Sequence, residues 1–171
     1  LKEAIRCEDP VLFLEHKGLY RQSYAIAPEP DSDYCLPFGV AKKLREGRHA
    51  TIVTWGMLVH KALKAAERLA REGIELEILD LRTILPLDLE AIIASLARTG
   101  RLLVLHEDTL TAGFGAEIAA RVADAAFEHL DAPVRRLAAL DSPIPYASGL
   151  EEAVLPQLEG IIHSVRALVA Y

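Results

Sequence analysis

The chain has 171 residues, 51% of them apolar and 26% charged, which is enough for one domain with a sizeable core and too apolar for intrinsic disorder. A net charge of −6 argues against the gathered Lys and Arg patch that nucleic-acid binding needs, and an acidic balance suits basic partners instead. No apolar stretch approaches the ~18 residues needed to cross a bilayer, and no charged region followed by an apolar signal core opens the chain, so no membrane association is expected.

Cys7 and Cys35 are the only cysteines, too few and too far apart for a disulfide framework or a zinc site. They read as free thiols in a reducing compartment, and a cytoplasmic location is expected. The chain begins at Leu1 rather than a methionine, and Leu1–Arg6 reads as the last turns of a helix, as in a piece of something longer.

After that helix end, Pro10 biases Asp9 away from helix, and Val11–Glu15 is rich in β-formers, so a strand is expected there. From about Arg21 to Pro37 no periodicity is sustained, and Pro28, Pro30, Asp31, Ser32, Asp33 and Pro37 mark a linker. Beyond it the pattern becomes regular. Strands are expected at Ala50–Thr54, Leu76–Leu81, Leu102–Leu105 and Val134–Leu137, with a further short one over Val40–Leu44. Leu58, Ala62, Ala65, Ala66 and Leu69 share one helical face; Leu89, Ile92, Ile93 and Leu96 share another, which Asp88 opens as N-cap. Two more helices carry Phe114, Ile118, Val122 and Ala126, then Leu158, Ile161, Ile162 and Val165. Short apolar strands alternating with helices imply an α/β fold: a three-layer αβα sandwich over residues 38–171 with a mainly parallel five-stranded sheet.

Few motifs carry chemistry. Gly113-Phe114-Gly115-Ala116-Glu117 opens a helix after a strand, where backbone N–H groups can face a phosphate, but the third glycine of the dinucleotide fingerprint is missing. A helix start packed closely on its neighbours is the favoured reading. His106-Glu107-Asp108 follows a strand's carboxyl end, where open α/β sheets place ligand crevices. The six histidines lack metal-ligand spacing, so a hydrogen-bonded interface loop is favoured there over a catalytic or metal cluster. Asp80 and Arg82 are expected to form a structural charge pair, with a substrate-carboxylate role for Arg82 as the minority reading. No Ser/His/Asp or Cys/His arrangement can be built from local sequence.

Taken in order, these landmarks resemble one family. Pro10-Val11-Leu12-Phe13-Leu14-Glu15-His16-Lys17, Val53-Thr54-Trp55-Gly56-Met57, Asp80-Leu81-Arg82-Thr83-Ile84-Leu85-Pro86, His106-Glu107, Gly113-Phe114-Gly115-Ala116-Glu117 and Asp141-Ser142-Pro143-Ile144-Pro145-Tyr146 look like successive blocks of the beta subunit of a thiamine-diphosphate-dependent 2-oxo acid dehydrogenase, branched-chain or pyruvate type. The resemblance implies that residues 1–24 are the tail of a pyrimidine-binding domain, 25–37 a linker, and 38–171 a transketolase-like carboxy-terminal domain. In that family the parent enzyme decarboxylates a 2-oxo acid and passes the acyl group to a lipoyl arm, with thiamine diphosphate and magnesium held by residues that match nothing here. The resemblance therefore implies no catalytic and no cofactor-binding residue in this chain, which should be inactive alone.

The implied partners are the alpha subunit, or the alpha half of a fused chain, a second beta copy, and the subunit-binding domain of the acyltransferase. Glu151, Glu152 and Glu159 are the candidate docking carboxylates for that basic domain. The resemblance also implies a potassium ion held by backbone carbonyls at Ala4, Ile5, Cys7 and Asp9, although Cys7 stands where aspartate is common and Asp9 where asparagine is. Two rival readings stand beside this one: a stand-alone dimerisation or docking domain, and the tail of a transketolase-type enzyme.

Overall fold

The computed structural model describes all 171 residues, Leu1–Tyr171. A short helix α1 (Lys2–Arg6) opens the chain, and residues 7 to 41 then run without a strand, with single 3-10 turns at Lys17–Leu19 and Ser23–Ala25. The strand expected over Val11–Glu15 does not form. Its backbone finds no ladder partner, and Leu12 and Leu14 are 92% and 84% exposed. High β propensity describes a fit to a half-buried pleated surface, and without a neighbouring strand there is no such surface.

Five strands build the sheet: β1 (Lys42–Arg45), β2 (Ala50–Thr54), β3 (Leu76–Asp80), β4 (Leu102–Thr109) and β5 (Arg135–Ala139), in the order β1-β3-β2-β4-β5. β2 lies parallel to both β3 and β4, β4 is parallel to β5, and only the edge strand β1 is antiparallel. Register is set by paired apolar side chains, Ile52 opposite Ile78 on one side and Leu103 on the other. Every residue of β2 is buried, as befits a central strand covered on both faces.

The helices divide between the two faces. α2 (Leu58–Ala70) and the last helix α6 (Leu158–Val169) cover one, where Leu58, Ala62, Leu69, Ile161 and Val165 pack on Ile52, Ile78, Leu103 and Leu105. α3 (Leu89–Thr99) and α4 (Phe114–Ala125) cover the other, where Ile92, Leu96, Ile118 and Val122 meet Val53, Leu79, Leu102 and Val104. The three-layer α/β architecture read from the sequence is thus formed, and α5 (Ser148–Val154), which the pattern did not indicate, adds a short exposed helix before α6.

Asp88 caps α3 as expected: its Oδ1 accepts the Ala91 N–H at 3.0 Å, and its Oδ2 accepts the Ala41 N–H at 2.8 Å, tying the approach to β1 to the start of α3. At the other end of α3, Gly100 adopts a left-handed φ of 64° and bonds back to Leu96, the usual helix stop.

One buried charge lies in the sheet. Glu77 on β3 is fully buried, and the Arg98 guanidinium donates to both of its carboxylate oxygens at 2.6 and 2.8 Å, with Lys43 at 3.6 Å. Burial pushes its pKa up, but the bonds from Arg98 and Ser95 and the charges of Arg98 and Lys43 outweigh burial and hold it below the ordinary glutamate range.

Candidate functional site at the carboxyl ends of the strands

From β2 the chain turns through α2 toward β3, while from β4 it turns through α4 toward β5, so the connections diverge between the carboxyl ends of β2 and β4. Open α/β sheets leave their ligand crevice at such a divergence. Thr54, Trp55 and Gly56 leave β2 here, and His106, Glu107 and Asp108 end β4 beside them.

His106 is the centre of this end of the sheet. Its side chain is fully buried, its ring lies parallel to Trp55 with centroids 5.5 Å apart and planes 3° apart, and Phe114 meets Trp55 edge-on at 6.1 Å. Neither ring nitrogen has a partner in hydrogen-bonding geometry. Burial is the main reason its pKa falls below the usual histidine value; Asp108 opposes that shift and Arg136 adds to it. The sequence placed His106-Glu107-Asp108 in a hydrogen-bonded loop. Instead all three belong to β4, and the His106 ring is buried and stacked with no hydrogen-bond partner.

The glycines of Gly113-Phe114-Gly115 have a steric purpose. A methyl at Gly115 would lie 2.2 Å from His106 Nε2, and one at Gly113 would lie 2.1 Å from the Thr109 carbonyl oxygen. α4 can start flush against β4 only because both positions lack a side chain. This is the close packing that the favoured reading of the motif anticipated.

On the opposite side of the strand ends, the segment from His16 to Ala27 lies across the sheet as a strap. His16 Nε2 sits 3.1 Å from Glu107 Oε2, the Tyr24 ring meets His60 at 4.8 Å, the Tyr24 hydroxyl reaches Met57 Sδ at 3.5 Å, and Lys64 stands 4.9 Å over the Tyr24 ring. His16, Tyr20, Tyr24, Ile26 and His60 line an open groove beneath the strap. Burial lowers the His60 pKa.

At the end of β3 the expected Asp80–Arg82 charge pair is replaced by a backbone bond: Asp80 Oδ1 accepts the Arg82 N–H at 3.1 Å. That contact stabilises a turn in which Arg82 takes a φ of 57°. Burial raises the Asp80 pKa, with the Arg82 N–H and nearby cations opposing it.

The three docking candidates are not brought together as equals. Glu151 and Glu152 are exposed on α5, whereas Glu159, in the first turn of α6, is engaged by Arg68 on α2. That ion pair lowers the Glu159 pKa and belongs to a ladder that continues with Arg166 donating to both oxygens of Glu72 at 2.9 and 2.7 Å. The carbonyls of Ala4, Ile5, Cys7 and Asp9, in and just after α1, accept no hydrogen bond from the chain. Cys7 and Cys35 are free thiols, and the Cys35 thiol donates to Glu3 at 2.8 Å. His, Cys, Asp and Glu side chains form no group of three that could share a metal ion. No helix is long and apolar enough to cross a membrane.

Two features of this region escaped sequence reading. The strap crosses the strand ends although its second half, from about Arg21, falls where an aperiodic linker is expected, and Lys61, at the margin of the apolar stripe of α2, reaches the turn before α6. The position of Lys61 between Leu58 and Ala65 is the signal that could have suggested a buried-end lysine.

A mainly parallel sheet with one antiparallel edge, covered by two helices on each face, defines the class, and the chain belongs to a known family of it: the pattern described as transketolase, C-terminal domain, matches residues 39–161. The chain is 50% identical over 165 residues to the mitochondrial pyruvate dehydrogenase E1 component subunit beta-1 of Arabidopsis thaliana, covering 96% of this chain and 46% of that one. It is 43% identical over 172 residues to the 2-oxoisovalerate dehydrogenase subunit beta of Bacillus subtilis (strain 168), covering 100% and 52%. A solved split-gene transketolase, described as an inactive beta4 tetramer, superposes with a TM-score of 0.70 at 26% identity over 84% of this chain and 46% of that one. The chain spans about half the length of the curated relatives it matches.

Proposed function

We propose that this chain is the carboxy-terminal, assembly-forming part of the beta subunit of a thiamine-diphosphate-dependent 2-oxo acid dehydrogenase, and that it is not catalytic alone. The observation that carries the proposal is 50% identity to a pyruvate dehydrogenase beta subunit along 96% of the chain. In the whole enzyme, thiamine diphosphate and magnesium decarboxylate a 2-oxo acid, and the acyl group passes to a lipoyl arm. In this reading residues 1–24 end the pyrimidine-binding domain, and their exposed β-forming run Val11–Glu15 awaits a sheet to join.

The proposed partners are an alpha subunit or alpha half, a second beta copy, and the acyltransferase subunit-binding domain. Exposed large apolar side chains are in keeping with partner surfaces: Leu12, Leu14, Ile26, Leu85 and Tyr146 stand in solvent, Leu12 and Leu14 within one short run. Glu151 and Glu152 are the leading carboxylates for the basic binding domain, with Glu159 secondary because Arg68 already engages it. The four hydrogen-bond-free carbonyls of Ala4, Ile5, Cys7 and Asp9 suit a potassium ion, a hard cation that takes oxygen donors. Free thiols fit a reducing, cytoplasmic setting for this chain, while the Arabidopsis relative is a mitochondrial protein.

Calorimetric titration with thiamine diphosphate and magnesium tests the first half of the proposal: no one-to-one binding is expected, and a micromolar signal overturns it. For docking, the subunit-binding domain is titrated against the chain and against the Glu151→Lys, Glu152→Lys, Glu159→Lys triple variant. Weaker binding with a flatter salt dependence is expected, since charge complementarity is screened as the Debye length shortens. An unchanged affinity and salt slope place docking elsewhere.

A further inference from the structure

Helix α5 carries Glu151 and Glu152, yet none of its residues is buried. An uncapped seven-residue helix is too short to persist in water by itself, so something outside it must hold it. One main-chain bond does part of this, from Leu140 N–H to the Val154 carbonyl at 3.1 Å. The rest converges on one side chain. The Gln157 amide nitrogen donates to the Glu152 carbonyl at 2.9 Å and to the Leu155 carbonyl at 3.1 Å, while its amide oxygen accepts from Lys61 Nζ at 3.0 Å. Lys61 also donates to the Pro156 carbonyl at 2.9 Å.

We infer that Lys61 and Gln157 form a clasp that holds the acidic helix α5 in place, with Lys61 on α2 as the positioning residue. The Lys61 ammonium is anchored on a helix whose apolar stripe is locked into the core, and it holds the Gln157 amide in the one orientation that lets its nitrogen face α5. Without the lysine the amide can turn over, and its oxygen would then repel the Glu152 and Leu155 carbonyls. Lys61 also lies within the field of Glu107, Glu151 and Glu152, so its positive charge draws the two α5 carboxylates toward the domain. Burial lowers the Lys61 pKa while those three carboxylates oppose the shift. For its partner-binding consequence the inference rests on the docking reading above; for the order of α5 it does not.

Hydrogen exchange on the full chain tests it. Lys61→Met keeps the stem and removes the donors, and Gln157→Ala removes the hub. Each is expected to speed exchange at the Glu151 and Leu155 amides by about tenfold or more, since a charged hydrogen bond and its network are lost, with sheet amides unchanged. The double variant should exchange no faster than either single one, because both changes open the same clasp, and Lys61→Arg should restore part of the protection. Exchange at α5 within twofold of the parent chain overturns the inference. So does a loss of protection that spreads evenly through α2 and the sheet. The subunit-binding domain is then titrated against Lys61→Met. If α5 loosens and binding falls, both readings stand. If α5 loosens and binding is unchanged, the clasp stands and the docking reading falls.

Discussion

Replacing Gly115 by alanine is the sharpest test of the packing at the strand ends. The new methyl would sit 2.2 Å from His106 Nε2, 2.4 Å from its Cδ2 and 3.2 Å from Val104 Cγ1. Comfortable contact begins near ~3.5 Å, so something must move by about 1 Å. The histidine cannot yield easily, because its ring is stacked on Trp55 and fully buried. Overpacking a tight core costs roughly 1–3 kcal/mol, and an overlap this deep belongs at the upper end. Alanine returns at most ~1 kcal/mol of helix propensity, which leaves a net loss of about 2 kcal/mol. Urea unfolding at pH 7.5 should show that loss, and the single tryptophan, Trp55, reports on the stack by fluorescence. In a thermal scan the midpoint should fall by roughly 4–8 °C. In a His106→Ala background the obstacle is gone, and Gly115→Ala should be neutral or mildly stabilising, a coupling of roughly 2–3 kcal/mol. Gly160→Ala is the control, since a methyl there meets nothing within 4 Å on a helix surface. If Gly115→Ala behaves like Gly160→Ala in the parent background, the steric argument is wrong.

Three further outcomes follow from named contacts. Because burial depresses the His106 pKa in the fold, the unfolded chain binds more protons below about pH 6.5; stability should be full above that and decline as pH falls toward the folded value, and His106→Phe should flatten the decline in urea titrations at several pH values. Arg98→Met strands the buried Glu77 carboxylate; breaking such a pair costs roughly 3–5 kcal/mol when both partners are buried, and about half that here because Arg98 is partly solvated, with Glu77→Gln in the same chain recovering part of the loss by denaturant unfolding. Asp88→Ala removes both the α3 cap and the anchor of Ala41, so a loss of about 1–2 kcal/mol is expected together with faster hydrogen exchange at Ala41 and at the Ala91 amide in the first turn of α3, and Asp88→Asn should recover only part of the loss, because its single amide oxygen can accept from one of the two N–H groups while its NH2 would face the other.

The alternation of apolar runs with amphipathic stripes was sufficient to specify the layers, because each main helix buries one face set by its own period, while the central strands are short continuous apolar runs buried on both faces. Asp88 and the glycines of α4 were legible for a similar reason: an N-cap and a side-chain-free helix start act within a few residues of their own position. The Val11–Glu15 run shows the limit. Its composition favours a strand, but a strand exists only where another backbone pairs with it, and no local pattern supplies that partner. Tertiary structure alone decided that Glu159 would be taken up by Arg68, that Asp80 would serve the Arg82 backbone rather than its guanidinium, and that Lys61 would reach Gln157 from 96 positions away. Long flexible side chains commit to a partner only after the elements beneath them have packed, since the gain from any single polar contact is small beside the burial that sets the layers.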